Sequence, residues 1–150
     1  MNDLQARIER LEAIHSIQQL KARALYYADQ RNAQAFADLF TEEGVFMGAF
    51  QTHKGREMIQ KNIKFWSFSV HYVMNPIVNI DGDRASGMWY WLRPQLNDAG
   101  QAHWAAGWYE DQYERIEGEW RFKSVKITNF FCSPYEKGWS NGEVSSFPPP

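Results

Sequence analysis

A chain of 150 residues with a net charge of −2 and a single cysteine, Cys132, excludes several protein classes at once. The length suits one domain with a real core and not two. Lys and Arg form no block able to track a nucleic-acid backbone, and one cysteine allows neither an intrachain disulfide nor a cysteine-based metal centre. The N-terminus lacks a signal-peptide core and no apolar run approaches ~18 residues, so no membrane partner is expected. A cytoplasmic, reducing compartment follows from the cysteine count.

Aromatic residues make up 16% of the chain. Large rings fill cores and also line apolar pockets. Residues 4–28 carry Leu4, Ile8, Leu11, Ile14, Ile17, Leu20, Ala24 and Ala28 at three- and four-residue steps, which predicts a helix with one buried stripe ending near Asp29. Residues 32–40 predict a short second helix with Asn32 as N-cap, broken by residues 41–44. Residues 45–50 read as a short strand and residues 55–66 as a third helix. From His71 onward the pattern is strand. Asp81-Gly82 is a tight-turn signal, residues 88–92 return, and residues 93–100 read as the next turn. Residues 102–115 and 120–131 complete four long antiparallel strands.

This order predicts an α+β fold, one curved, mostly antiparallel sheet with three helices packed on its concave face. The cone so formed can keep an empty interior. Residues 1–135 read as a single domain. The tail, residues 136–150, reads as irregular, either a bland terminus or a flap over the pocket mouth anchored by Tyr135 and Trp139.

Two residues stand out. Asp29 is a carboxylate at a helix C-terminus, where the helix dipole opposes it. His71 opens a strand. If they meet across the pocket, the carboxylate fixes the imidazole tautomer and raises its basicity. The bland alternatives are a surface carboxylate paired with Arg31 and a structural strand histidine. His15 reads as structural and His53 as a solvated loop residue. Tyr26, three residues before Asp29, is a candidate substrate hydrogen-bond donor, with Tyr27 as its competitor. His103 and Asn129 are further candidate substrate contacts. Trp89, Trp91, Trp104 and Trp108 serve core, interface or pocket wall, and Met47, Phe50 and Met74 serve as fillers or flexible walls.

Several pieces in this order resemble a known family: residues 28–32 (ADQRN), 37–40 (ADLF), 55–59 (GREMI), 70–76 (VHYVMNP), 80–85 (IDGDRA) and 118–123 (GEWRFK). The chain is similar to the SnoaL-like branch of the nuclear transport factor 2-like superfamily. Within it, the likeness is to the group of scytalone dehydratase, bile acid dehydratase and hexachlorocyclohexane dehydrochlorinase. The resemblance covers roughly residues 8–135. It implies that Asp29 and His71 form a catalytic dyad for cofactor-free elimination, and that His103 lies near the place of a second histidine. It also implies sheet-mediated homotrimers or homodimers. Two departures are visible: residues 41–60 hold no tyrosine, and residues 123–131 hold no arginine, with Val125 or Asn129 near that place.

The functional expectation is a metal- and cofactor-free lyase of dehydratase type acting on a small cyclic ketone or alcohol. Ketosteroid-type isomerisation and dehydrohalogenation would use the same dyad. A non-catalytic binding or scaffold protein is the alternative from another class. A subunit resembling the small chain of ring-hydroxylating dioxygenases is a third.

Overall fold

The computed structural model describes residues 3–49 and 51–139. Helices α1 (Asp3–Asp29), α2 (Ala33–Ala37) and α3 (Arg56–Asn62) accompany seven strands: β1 (Phe40–Met47), β2 (Thr52–Lys54), β3 (Phe68–Ser69), β4 (Tyr72–Asp81), β5 (Arg84–Leu96), β6 (Ala102–Ile116) and β7 (Glu119–Pro134). They form one sheet in the order β2-β1-β7-β6-β5-β3, with β4 also paired to β5. All pairings are antiparallel except β1 with β7, which is parallel. The result is a half-barrel, a curled mixed sheet with three helices against it.

The α1 stripe packs into the curl through Ile17, Leu20, Ala24 and Ala28, which meet Phe122 and Val125 of β7 and Trp91 of β5 in one buried cluster. The stripe is buried only from Ala13 onward: Leu4, Ile8 and Leu11 are exposed, so the first turns of α1 overhang the sheet. The expected second helix is shorter than its pattern. Asn32 caps it, accepting from the Ala35 amide at 3.0 Å, but the chain turns to strand at Phe40. Phe40 is wholly buried against Phe122 and Phe36, and residues 41–44 lie within β1 where a break was expected.

Two other boundaries move. The third helix stops at Asn62, and β5 runs through Arg93 and Pro94 to Leu96, where a turn was expected. Pro94 has no amide hydrogen to give, but its carbonyl accepts from the Val70 amide. Alternation along β5 therefore continues inward through Trp89, Trp91, Arg93 and Gln95. The hairpins fall where the glycines predict them. Gly82 lies in the left-handed region between the paired Asp81 and Arg84, and Glu117-Gly118 joins β6 to β7 with both residues left-handed.

On the outer face Trp108 packs against Phe130, which also meets Tyr90. Tyr72, Met74, Ile77, Met88 and Tyr90 are exposed.

Candidate active site

The end of α1 is shaped by its backbone. Arg31 adopts φ 57°, the Asn32 amide reaches back to the Tyr27 carbonyl at 2.8 Å, and the Arg31 amide reaches the Ala28 carbonyl at 3.0 Å. This is the Schellman pattern, here with arginine at the left-handed position usually given to glycine. The Arg31 guanidinium crosses to the Ser67 carbonyl at 2.6 Å and ties the helix end to the approach of β3. Arg31 is therefore not the partner of Asp29.

Asp29 faces the β3–β4 junction. One carboxylate oxygen, Oδ1, accepts from Ser69 Oγ at 3.0 Å and from His71 Nδ1 at 2.6 Å, and Oδ2 accepts from the His71 backbone amide at 3.0 Å. Burial pushes the Asp29 carboxyl upward, but these hydrogen bonds and the neighbouring imidazole outweigh it and hold the acid below its ordinary range. An ionised carboxylate can only accept, so Nδ1 carries the proton and Nε2 keeps its lone pair. The His71 side chain is 7% exposed. Burial, reinforced by the charge of Arg93, outweighs the carboxylate and keeps the imidazole below its usual value.

His71 opens onto a cavity, partly open to solvent, walled by Ala24, Ala28, Phe36, Phe46, Phe65 and Ile127. Its polar lining includes Ser69, Arg93, Tyr109 and Lys21. Lys21, which is buried, forms a 2.7 Å ion pair with the equally buried Asp111 and lies 3.4 Å over the Tyr109 ring. Asp111 also accepts from Tyr113.

The other expected contacts fall differently. Tyr26 is corrected: it is 68% exposed and does not line the cavity. At about 100° per residue it lies about 150° round from the mean direction of Lys21, Ala24, Leu25 and Ala28, so three-residue spacing to Asp29 is not enough. Tyr27 packs at the edge of the core, also outside the cavity lining.

His103 is corrected as a pocket residue. It shares the inward parity of Tyr109, but sits where β6 pairs with Gln95 and Pro134, and its Nδ1 donates to the Gln101 carbonyl at 3.1 Å. Asn129 lies opposite Gly107, two residues beyond Ile127, half-buried, outside the cavity lining, and with no side-chain hydrogen bond among the described residues. His15 is exposed. His53 is a half-buried residue of β2 and not a solvated loop residue, and its Nε2 is buried without a partner among the described residues.

Tyr135 and Trp139 are exposed. Trp139 stacks on Phe131, and neither lines the cavity. Phe50, expected as a filler or flexible wall, and residues 140–150 of the expected flap lie outside the described residues. Among the described residues no three His, Cys, Asp or Glu side chains converge in a way that could hold a metal ion, and no helix is long and apolar enough to cross a membrane.

The residue the sequence reading missed is Arg93. Its Nη1 stands 3.3 Å from His71 Nε2 and its Nε donates to Gln95 at 2.5 Å. The only signal was its inward parity with Trp89 and Trp91, masked by Pro94.

A curled half-barrel closed by helices around a blind cavity, with a carboxylate–imidazole pair on its wall, defines a class of small single-domain pocket proteins. The chain belongs to the SnoaL-like domain family, whose model matches residues 9–126. No curated protein matches it. Among solved structures it is similar to hexachlorocyclohexane dehydrochlorinase LinA type 2 (TM-score 0.79, 22% identity, 96% of this chain and 98% of that one). A Novosphingobium aromaticivorans protein provisionally named scytalone dehydratase has a TM-score of 0.76 at 18% identity, over 84% and 89% of the two chains. A nuclear transport factor 2-like protein of cystatin-like fold from the same species has a TM-score of 0.73 at 24% identity, over 85% and 88%. These likenesses establish the shared fold.

Proposed function

We propose that the protein is a cofactor-independent lyase of dehydratase type, acting on a small cyclic ketone or alcohol. The observation that carries this reading is the 2.6 Å contact between Asp29 and the Nδ1 of His71 on the wall of an apolar cavity. Asp29 positions the ring and favours the imidazolium that forms. Nε2 removes a proton next to the activating carbonyl, the electron pair moves into the new double bond as the C–O bond breaks, and the departing hydroxide takes the proton from the His71 imidazolium and leaves as water. The low polarity of the cavity strengthens each of these interactions. Ser69 holds the carboxylate in place. Asn129, whose side chain has no hydrogen-bond partner among the described residues, is a candidate contact on β7 beyond the cavity lining. Tyr26 and His103 take no part.

The fold likeness to LinA favours one close variant, loss of halide in place of hydroxide. The exposed apolar band on the outer sheet face supports a homo-oligomer, trimer first and dimer second, and the lone cysteine suits a cytoplasmic setting.

The test is turnover across a panel of cyclic β-hydroxy and β-halo ketones. His71→Ala and Asp29→Asn are expected each to lower kcat/KM by ~10²–10⁴-fold, the contribution of a positioned base, while ligand binding, read by tryptophan fluorescence, persists. Binding without turnover of any panel member in the wild type would instead identify a non-catalytic pocket protein.

A further inference from the structure

The lone pair that should take the substrate proton is not free. His71 Nε2 faces Arg93 Nη1 at 3.3 Å, and since Nδ1 carries the ring proton, the guanidinium is the donor. Arg93 comes from β5, between the inward-facing Trp91 and Gln95. Its charge centre lies 5.0 Å from the Trp91 ring and 5.5 Å from the Trp66 ring. Such placement suits a delocalised cation more than an ammonium. Gln95 takes the Nε hydrogen. A guanidinium has five N–H bonds; with Nε and one Nη1 hydrogen engaged, three are left without a protein acceptor among the described residues.

Among the described residues Arg93 makes no ion pair. Asp29 is taken up by Ser69 and His71, Asp111 by Lys21 and Tyr113. A mostly buried cation with spare donors, and with no carboxylate of its own among the described residues, lines the same cavity as His71.

We propose that Arg93 is a latch on the base and the receptor for an anionic oxygen of the substrate, a carboxylate being the group its planar fork fits best. In the empty site its N–H occupies the His71 lone pair. A substrate carboxylate draws the guanidinium onto itself, because that pair is charged on both sides and can be bidentate whereas the His71 contact is a single bond to a neutral acceptor, and leaves Nε2 facing the proton to be removed. Substrate selection and release of the base are then one event. The inference rests on the reading of His71 as the base, and narrows the substrate class from cyclic ketones and alcohols to those bearing an acidic group.

The test needs no turnover. Benzoate is the probe, benzamide its uncharged counterpart, and the His71 titration is followed by imidazole ¹⁵N NMR in wild type, Arg93→Met and Arg93→Lys. Other charged or titratable groups in the surroundings are Asp29, Lys21 with Asp111, Lys64, Tyr109 and Cys132, and they are common to all three proteins. Benzoate is expected to bind the wild type at least ~10-fold more tightly than benzamide and to raise the His71 midpoint. Arg93→Met is expected to start with a higher midpoint, to lose that preference and to show no further shift. Arg93→Lys, which keeps the charge but not the fork, falls between, and serves alone if Arg93→Met does not fold. Equal binding of the two probes, no benzoate binding, or an unchanged His71 midpoint in both variants would overturn the latch. A wild type that shows the benzoate response but cannot abstract a proton would keep the anion site and sink the lyase reading.

Discussion

At the scale of single residues, the site turns on how three side chains share charge. Asp29 is held ionised by hydrogen bonds, and His71 is held neutral by burial and by Arg93. A base must be unprotonated to work, so kcat/KM should be flat above pH ~6.5, the ordinary histidine value, and fall one decade per unit below the depressed midpoint. Removing the Arg93 charge should move that limb to higher pH; a limb that stays in place in Arg93→Met would show that the guanidinium does not govern the imidazole. The same shift has a stability consequence. The folded-state pKa of His71 is lowered, so its contribution is fully present above the unfolded value and is lost as pH falls through the folded one.

Lys21 and Asp111 form a different kind of pair. Both are buried, which drives the lysine down and the acid up, and each offsets that cost for the other. Lys21→Met strands a buried carboxylate and should cost ~3–5 kcal/mol by chemical denaturation, whereas Lys21→Met with Asp111→Leu should recover most of it. A loss under about 1 kcal/mol for the single change would mean that water reaches Asp111. Asp29 and His71 were legible because each sits in a recognisable local frame, one ending a helix, the other opening a strand. Arg93 was not, because Pro94 beside it reads as a turn and the inward parity of β5 is visible only once the strand is known to continue.

At the scale of elements, local rules set most of the ends. Asn32 caps α2, and Asn32→Ala should cost ~0.5–2 kcal/mol. That helix carries Phe36 and Ala37 into the core, so the loss should appear as a lower Tm; an unchanged Tm would mean that packing alone fixes the turn. The β6–β7 pair is less forgiving. The register between β6 and β7 shifts between Ala106 and Gly107, so that Gly107 faces Asn129, and a Cβ on Gly107 would stand 1.9 Å from the Thr128 carbonyl oxygen. That oxygen is backbone and cannot swing aside. Gly107→Ala should therefore abolish soluble expression or lower Tm by well over 10 °C; a stable variant would show that the register can slide.

The spacing of apolar residues revealed α1 and the long strands. It did not reveal where α2 gives way to β1, since Leu39 and Phe40 suit the inner side of a helix as well as a strand. Nor did it reveal β2 and β3, of three and two residues, which exist only through their neighbours.

At the scale of the whole molecule, the parallel β1–β7 pairing joins segments some 80 residues apart in sequence and carries β1 and β2 onto the β7 edge of the sheet. No local pattern announces such a pairing, yet the order of the elements predicted the curved sheet that contains it. The outer face remains apolar at Tyr72, Met74, Ile77, Met88 and Tyr90, a band of the kind that marks association surfaces. Light scattering should give a mass near three, or failing that two, times 17.6 kDa. Ile77→Glu with Tyr90→Glu should lower it toward one chain. A monomeric wild type would leave that band unexplained.

The proposed function requires a secluded imidazole that pulls a proton from carbon. Hydrogen–deuterium exchange at the α-carbon of a cyclic ketone with no leaving group, such as 2-tetralone in D₂O followed by proton NMR, isolates that step from elimination. The wild type should accelerate exchange by ~10²–10⁴-fold over an equal concentration of free imidazole, and His71→Ala and Asp29→Asn should each return it close to that background. Exchange no faster than free imidazole in the wild type, or undiminished in His71→Ala, would contradict the account.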